Sequence, residues 1–158
     1  PMEILLPTPP ESFTQTNTSI LPAETQLERP EEPCTRVEFL EQLVKIIGYV
    51  PVNVYNDRYS DVVGHEWYAG LVEVSYQNSL VDPIYTSNGC FYPLEPVTWE
   101  QVISFCSNGY KSRHAAAQTE DPIKLIKGFN LLPNTYQPDK PVSRKESLHL
   151  LQVLEKIL

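Results

Sequence analysis

The chain has 158 residues, a formal net charge of −8 and a sequence pI near 4.8. That length admits one compact domain or a small array of units sharing a core. The acidic balance argues against nucleic acid as the main partner, and no apolar run approaches the roughly 20 residues of a membrane span, so membrane insertion is not expected.

The first stretch, residues 1–26, reads as a proline-rich lead-in or linker. Positions 1, 7, 9, 10, 22, 30 and 33 are all proline, and neither a helical nor an alternating apolar pattern is present. Pro1-Met2 reads as an expression remnant, which makes the chain a piece of a longer protein.

A short frame then appears for the first of three times. Pro30-Glu-Glu-Pro-Cys-Thr-Arg-Val-Glu38 returns as Pro93-Leu-Glu-Pro-Val-Thr-Trp-Glu-Gln101 and as Pro138-Asp-Lys-Pro-Val-Ser-Arg-Lys-Glu146. Each copy is a helix start. The hydroxyl of Thr35, Thr98 or Ser143 suits the cap that accepts from an orphan backbone N–H. Glu38, Gln101 and Glu146, three residues on, can reach back to complete a capping box. Pro33, Pro96 and Pro141 disfavour helix just before the cap. Repetition of this kind predicts units that bury their apolar faces against one another.

After the first frame the spacing predicts a helix from Arg36 to Ile47 with a wide apolar face, ended by Gly48 in a C-terminal cap. A loop follows to about residue 60. Trp67, Leu71 and Val74 then make one helical row beside Tyr68, Val72 and Tyr76, which places Trp67 on the core side of a second helix. Asn88-Gly89 is a tight-turn signal compatible with a small hairpin. A third helix starts after Thr98 and frays near Asn108-Gly109. Asp121-Pro122 opens a short fourth helix, with proline at its favoured first position. The last helix, from Arg144, carries enough leucine to be the central buried element.

Three cysteines do not make a disulfide framework. Cys34 aligns with Val97 and Val142 in the frame and reads as a small buried apolar residue. Pairing of Cys90 with Cys106 requires the loop to fold back on the helix and is left open. No zinc-like spacing exists, and His65, His114 and His149 are isolated from any nucleophile and base. No cofactor, metal or catalytic set is therefore expected, and the chain reads as non-enzymatic.

The pattern resembles the S-layer homology family. Tyr59-Ser-Asp61-Val62, Trp67-Tyr-Ala69, Leu80-Val81, Phe91-Tyr-Pro93 and Thr98 follow the order of that family's repeat. Thr35-Arg36-Val-Glu38 and Ser143-Arg144-Lys-Glu146 are similar to its second-helix motif. The resemblance covers roughly residues 27–158, with repeats at about 27–58, 59–113 and 114–158. It implies a mainly α fold, a pseudo-threefold array of helical repeats around a central bundle. It also implies a bacterial cell-surface or cell-wall location and a non-catalytic anchoring role. The partner would be an anionic secondary cell-wall polysaccharide, often pyruvylated, held in grooves between repeats.

Carried over by position, the resemblance assigns Arg36 and Arg144 to anion contact, with Trp67 and Asp61 as groove wall. The middle repeat departs from the family, because Trp99 replaces the arginine and offers stacking in place of a bidentate contact. Plain structural readings stand beside these: Arg36 and Arg144 as exposed arginines at helix starts, Asp61 as a helix cap, and Trp99 as a packed contact between repeats. Two other functions fit the same residues. One is a degenerate array serving as an interaction or spacer domain beside other domains of an exported protein. The other is a general carbohydrate-binding module that stacks sugars on Trp99 and tyrosines.

Overall fold

The computed structural model describes residues 19–158; the lead-in expected over residues 1–26 lies outside the described residues as far as residue 18. Five helices carry the fold: α1 (Arg36–Ile47), α2 (Ala69–Gln77), α3 (Trp99–Lys111), α4 (Pro122–Gly128) and α5 (Arg144–Ile157). Among the described residues the remainder is short 3₁₀ turns, loops and isolated bridges, so the fold is mainly helical as expected.

The three frames start their helices as the sequence predicts. Thr35 Oγ1 accepts from the Glu38 amide at 3.2 Å, and Glu38 Oε1 accepts in return from the Thr35 amide at 3.0 Å. Thr98 and Gln101 repeat the exchange at 3.4 and 3.1 Å, and Ser143 and Glu146 at 3.0 and 2.9 Å. Each exchange satisfies two N–H groups that the helix itself leaves without partners. Gly48 closes α1 in the left-handed region at φ 100°, and Asp121 caps α4 by accepting from the Lys124 amide at 3.1 Å.

Four local expectations need correction. The helix through Trp67 begins two residues later, at Ala69, so the apolar row drawn from Trp67 breaks at its first member. Asn88-Gly89 forms a 3₁₀ turn with Asn88 at φ 57°, and no hairpin strands flank it. Asn108-Gly109 does not fray α3, which runs on to Lys111. A β-carbon on Gly109 would stand 2.8 Å from Ile47 Cδ1, so glycine lets α3 approach α1 closely, and Asn108 Nδ2 donates to the Leu80 carbonyl at 3.1 Å.

The fourth correction concerns the centre of the core. It is α1, not α5. Val37, Phe39, Leu40, Leu43, Val44, Ile46 and Ile47 of α1 are all buried, and this helix packs on α2, α3 and α5. On α5 the buried apolar set is Leu148, Leu150, Leu151 and Leu154, while Val153 is 42% exposed. The leucines of α5 follow one stripe, and the opposite face keeps Lys145, His149 and Lys156 in solvent contact. Cys34 is buried as expected, and burial pushes its thiol up to about 12. All three cysteines are free thiols.

The frames also bond to one another in a closed circuit. The Cys34 amide donates to Val142 O at 2.8 Å, the Val142 amide to Val97 O at 2.9 Å, and the Val97 amide to Cys34 O at 2.9 Å. One step further on, the Arg36, Trp99 and Arg144 amides donate to Glu95 O, Lys140 O and Glu32 O. Each helix start is thus held by the prolyl segment of another frame, which accounts for helix N–H groups that a lone helix would leave to water.

Outer elements cover the capped helices. Helix α2 packs on α1 and α4 on α3. On α5 the corresponding cover is a strap, residues 19–27. Glu155 of α5 accepts from Ser19 Oγ at 2.6 Å and from the Ile20 amide at 3.1 Å, and Leu21 is buried.

Candidate functional site

The residue after each cap occupies the same backbone position three times, yet the three side chains meet different surroundings. Arg36 is only 4% exposed. Its Nη1 donates to Tyr85 O at 3.0 Å and to Phe91 O, and the guanidinium lies over the rings of Phe91 and Tyr92 at 5.7 and 5.8 Å. Burial lowers its pKa, against the opposing pull of the Glu95 and Asp61 charges. Asp61 works on the same segment from the other side, accepting from the Phe91 and Tyr92 amides at 2.8 Å each. It caps no helix; α2 starts eight residues beyond it without a side-chain cap. Arg36 and Asp61 together therefore clamp the chain as it approaches the second frame.

Trp99, expected either as a stacking surface or as a packed contact, is 3% exposed. It lies at the edge of a hollow of about 280 Å³ shared with Leu131, Leu132, Leu150 and Val153. Trp67, read from the apolar row as core, is instead 59% exposed and meets Tyr68 edge-on at 5.4 Å. Its exposure follows from lying before the first turn of α2.

Arg144 is the arginine that reaches a groove. Its Nη1 pairs with Glu38 Oε2 at 2.8 Å and its Nε donates to Glu28 O at 3.0 Å. A hollow of about 140 Å³ opens here between α1 and α5, lined by Leu27, Glu38, Gln42, Arg144, Ser147 and Leu148. Gln42 Oε1 is buried without a hydrogen-bond partner. Burial would raise the Glu38 pKa, but the Thr35 amide and the Arg144 guanidinium overcome it and hold the carboxyl below the usual carboxylate range. A second cleft, of about 460 Å³, runs between the first frame and the start of α5 and is lined by Glu31, Pro33, Lys140, Ser143, Lys145 and His149. The two hollows bring cations, carboxylates, an amide and a hydroxyl together at one junction of frames, a mixture suited to sugar hydroxyls and an acidic substituent.

Two carboxylates with several partners are not marked by the sequence pattern, one away from this junction and one beside it. Glu73 on α2 is fully buried and accepts from the Asn56 amide and Nδ2, from Arg58 Nε and Nη2, and from Gln77 Nε2 at 3.0–3.2 Å. Burial pushes its pKa up, yet those donors prevail and hold it low. The available signal was one carboxylate inside the apolar run Ala69–Tyr76. Glu24, on the strap, meets His149 Nε2 at 2.6 Å and Lys145 Nζ at 4.0 Å. Nothing local marks it, because its partners lie at the other end of the chain. Among the described residues no group of His, Cys, Asp and Glu is placed to hold a metal ion.

No family model matches the chain. It is similar to an exoglucanase, XynX, of Acetivibrio thermocellus, at 27% identity over 120 residues. It is also similar to an amylopullulanase of Thermoanaerobacterium thermosulfurigenes, at 22% over 120 residues. Each match covers 76% of this chain but only 10% and 6% of the respective relative. The chain thus spans a tenth or less of the length of the curated relatives it matches.

Proposed function

We propose that this domain is a non-catalytic cell-surface anchor of the S-layer homology kind, a pseudo-threefold array that holds an anionic secondary cell-wall polysaccharide in a groove between repeats. The observation that carries the reading is the closed circuit of hydrogen bonds through Cys34, Val97 and Val142. Three equivalent positions exchanging equivalent bonds are what three like units sharing one axis require. The comparisons add support of another sort: segments of similar extent occur within an exoglucanase and an amylopullulanase, as a small fraction of each. A part common to enzymes with different names fits attachment better than either chemistry. An anchor of this class works outside the cell, on the bacterial surface.

The groove at Arg144 is the binding site in this reading, with Arg144 as the anion contact and Ser147, Gln42 and Glu38 available to sugar hydroxyls. Arg36, Asp61 and Trp99 support the repeats around it, and the exposed Trp67 remains available as a wall for an adjoining groove. The test is co-sedimentation of the purified chain with Gram-positive sacculi, before and after removal of their secondary polysaccharide. Binding that disappears on stripping and in Arg144→Ala is the expected result; equal sedimentation with stripped walls would sink the anchor.

A specific observation favours a second reading, a degenerate interaction or spacer domain. Arg36 and Arg144 both have internal partners, and Trp99 is enclosed. A folded chain that ignores intact walls would select it.

A further inference from the structure

We propose that the strap, residues 19–27, is a displaceable cover that narrows the Arg144 groove. It lifts as one piece about Arg29 while the helices stay folded, and the groove takes a polymer only when it is lifted. The polymer rests on the anchoring reading above; the lifting itself does not.

The strap runs back along the whole of α5. Ser19 and the Ile20 amide meet Glu155 near the end of the helix, Glu24 meets His149 and Lys145, and Glu28 O meets Arg144 at its start. Along that length its main chain makes no hydrogen bond to the main chain of another element among the described residues. Its own two bonds, from the Gln26 amide to Ala23 O and from the Leu27 amide to Glu24 O, stay inside one 3₁₀ turn. The polar attachments lie at the surface and are individually weak. The apolar hold is the buried Leu21 and the half-buried Leu27.

Just beyond, the chain is firmly fixed: the Lys145 amide donates to Pro30 O at 2.9 Å and the Arg144 amide to Glu32 O at 2.8 Å. Arg29 stands between the two stretches at φ 49°, a left-handed conformation that a non-glycine residue keeps only where its surroundings enforce it. Lifting the strap releases that constraint, which makes Arg29 the hinge.

Pro22 and Leu27 wall the hollow that Arg144 lines. Closed, it measures about 140 Å³, below the roughly 300 Å³ at which ligand pockets begin. Lifting removes that wall, frees Arg144 Nε from Glu28 O and opens the side toward the unpartnered Gln42 Oε1. It also uncovers Cys34, which shares the lining. Burial raises the Cys34 pKa, so this thiol is no nucleophile while the strap is down.

The three free cysteines supply the test, with Cys90 partly exposed, Cys34 beneath the strap and Cys106 in the core. The full 158-residue chain is alkylated with iodoacetamide in urea below its unfolding transition, and each thiol is followed by mass spectrometry. Cys34 should react about tenfold or more faster than Cys106, with a shallower urea dependence, because lifting exposes far less surface than unfolding. Leu21→Ala should speed Cys34 by about thirtyfold, as the loss of a buried leucine side chain implies, and Glu24→Gln by about twofold. Equal rates and urea slopes for Cys34 and Cys106 would mean that strap and core open together, which overturns the proposal. A Cys34 rate indifferent to Leu21→Ala does the same. Sedimentation with sacculi then judges the cover's role: wall affinity should rise in Leu21→Ala by the same factor as the Cys34 rate. Faster alkylation with unchanged wall affinity overturns the gating. Failure of both chains to sediment removes the anchor, while the thiol rates still decide whether the strap lifts.

Discussion

Arg36 and Arg144 begin their helices in the same way, each after a hydroxyl cap, with the same reciprocal bond to a glutamate and a backbone donation to another frame, yet they end in opposite situations. Arg36 is covered by the segment from Tyr85 to Tyr92 and is bonded to its carbonyls. Arg144 meets a strap that covers it only in part, so its guanidinium lines an open groove. The motif determines where the arginine starts; whatever crosses over it determines whether it holds the fold together or remains within reach of a ligand. Trp99 is a third outcome, an apolar side chain that fills the position by packing.

The contrast breaks most visibly at the buried end. Arg36→Ala strands the Tyr85 and Phe91 carbonyls, and each unsatisfied buried group costs about 1–3 kcal/mol, so a loss of about 3 kcal/mol in urea denaturation is expected. A change below about 1 kcal/mol would mean that Asp61 alone holds the segment. An intermediate effect is expected at the other buried charge. Glu73→Gln keeps the shape but weakens charge-assisted bonds to Asn56 and Arg58, for a loss of about 2 kcal/mol at neutral pH.

That variant also sharpens the pH behaviour. Glu73 and Glu38 are both held below the usual carboxylate range in the folded chain. Their stabilisation is complete above the unfolded-state pKa of about 4.3 and is lost as the pH falls through the lowered folded values. The wild type should therefore lose stability steeply below about pH 4, and Glu73→Gln should flatten that profile. A profile unchanged by the substitution would assign the acid sensitivity elsewhere. The smallest effect on stability belongs to Arg144→Ala, about 1 kcal/mol or less for a partly exposed pair. Its main consequence is expected in wall binding, which makes it the clean functional variant, whereas Arg36→Ala confounds binding with folding.

Features carried by neighbours in the chain were legible in the sequence. The capping boxes, the left-handed Gly48 and the Asp121-Pro122 start depend on residues within four positions of one another, and the structure has them as read. Features set by distant partners were not. Gly109 resembles a helix end until Ile47 of α1 is seen against it. Asp61 resembles a cap until the amides of Phe91 and Tyr92 turn toward it. Trp67 fits an apolar row, but its helix begins after it. The candidate site was legible only as a motif position, since the glutamates beside it, Glu38 and Glu24, arrive from the first unit and the strap.

The closed circuit through Cys34, Val97 and Val142 has a consequence for how the chain is made. The partner of the Cys34 amide, Val142, lies 142 − 34 = 108 residues further along the chain, so the first frame stays incomplete until the third has been synthesised. Such long-range pairing slows folding and leaves the part of α1 that packs on α5 uncovered until α5 is made. It also predicts all-or-none sensitivity to truncation: removing the third frame together with α5 withdraws bonds from both of the other frames and does not leave a smaller, stable domain.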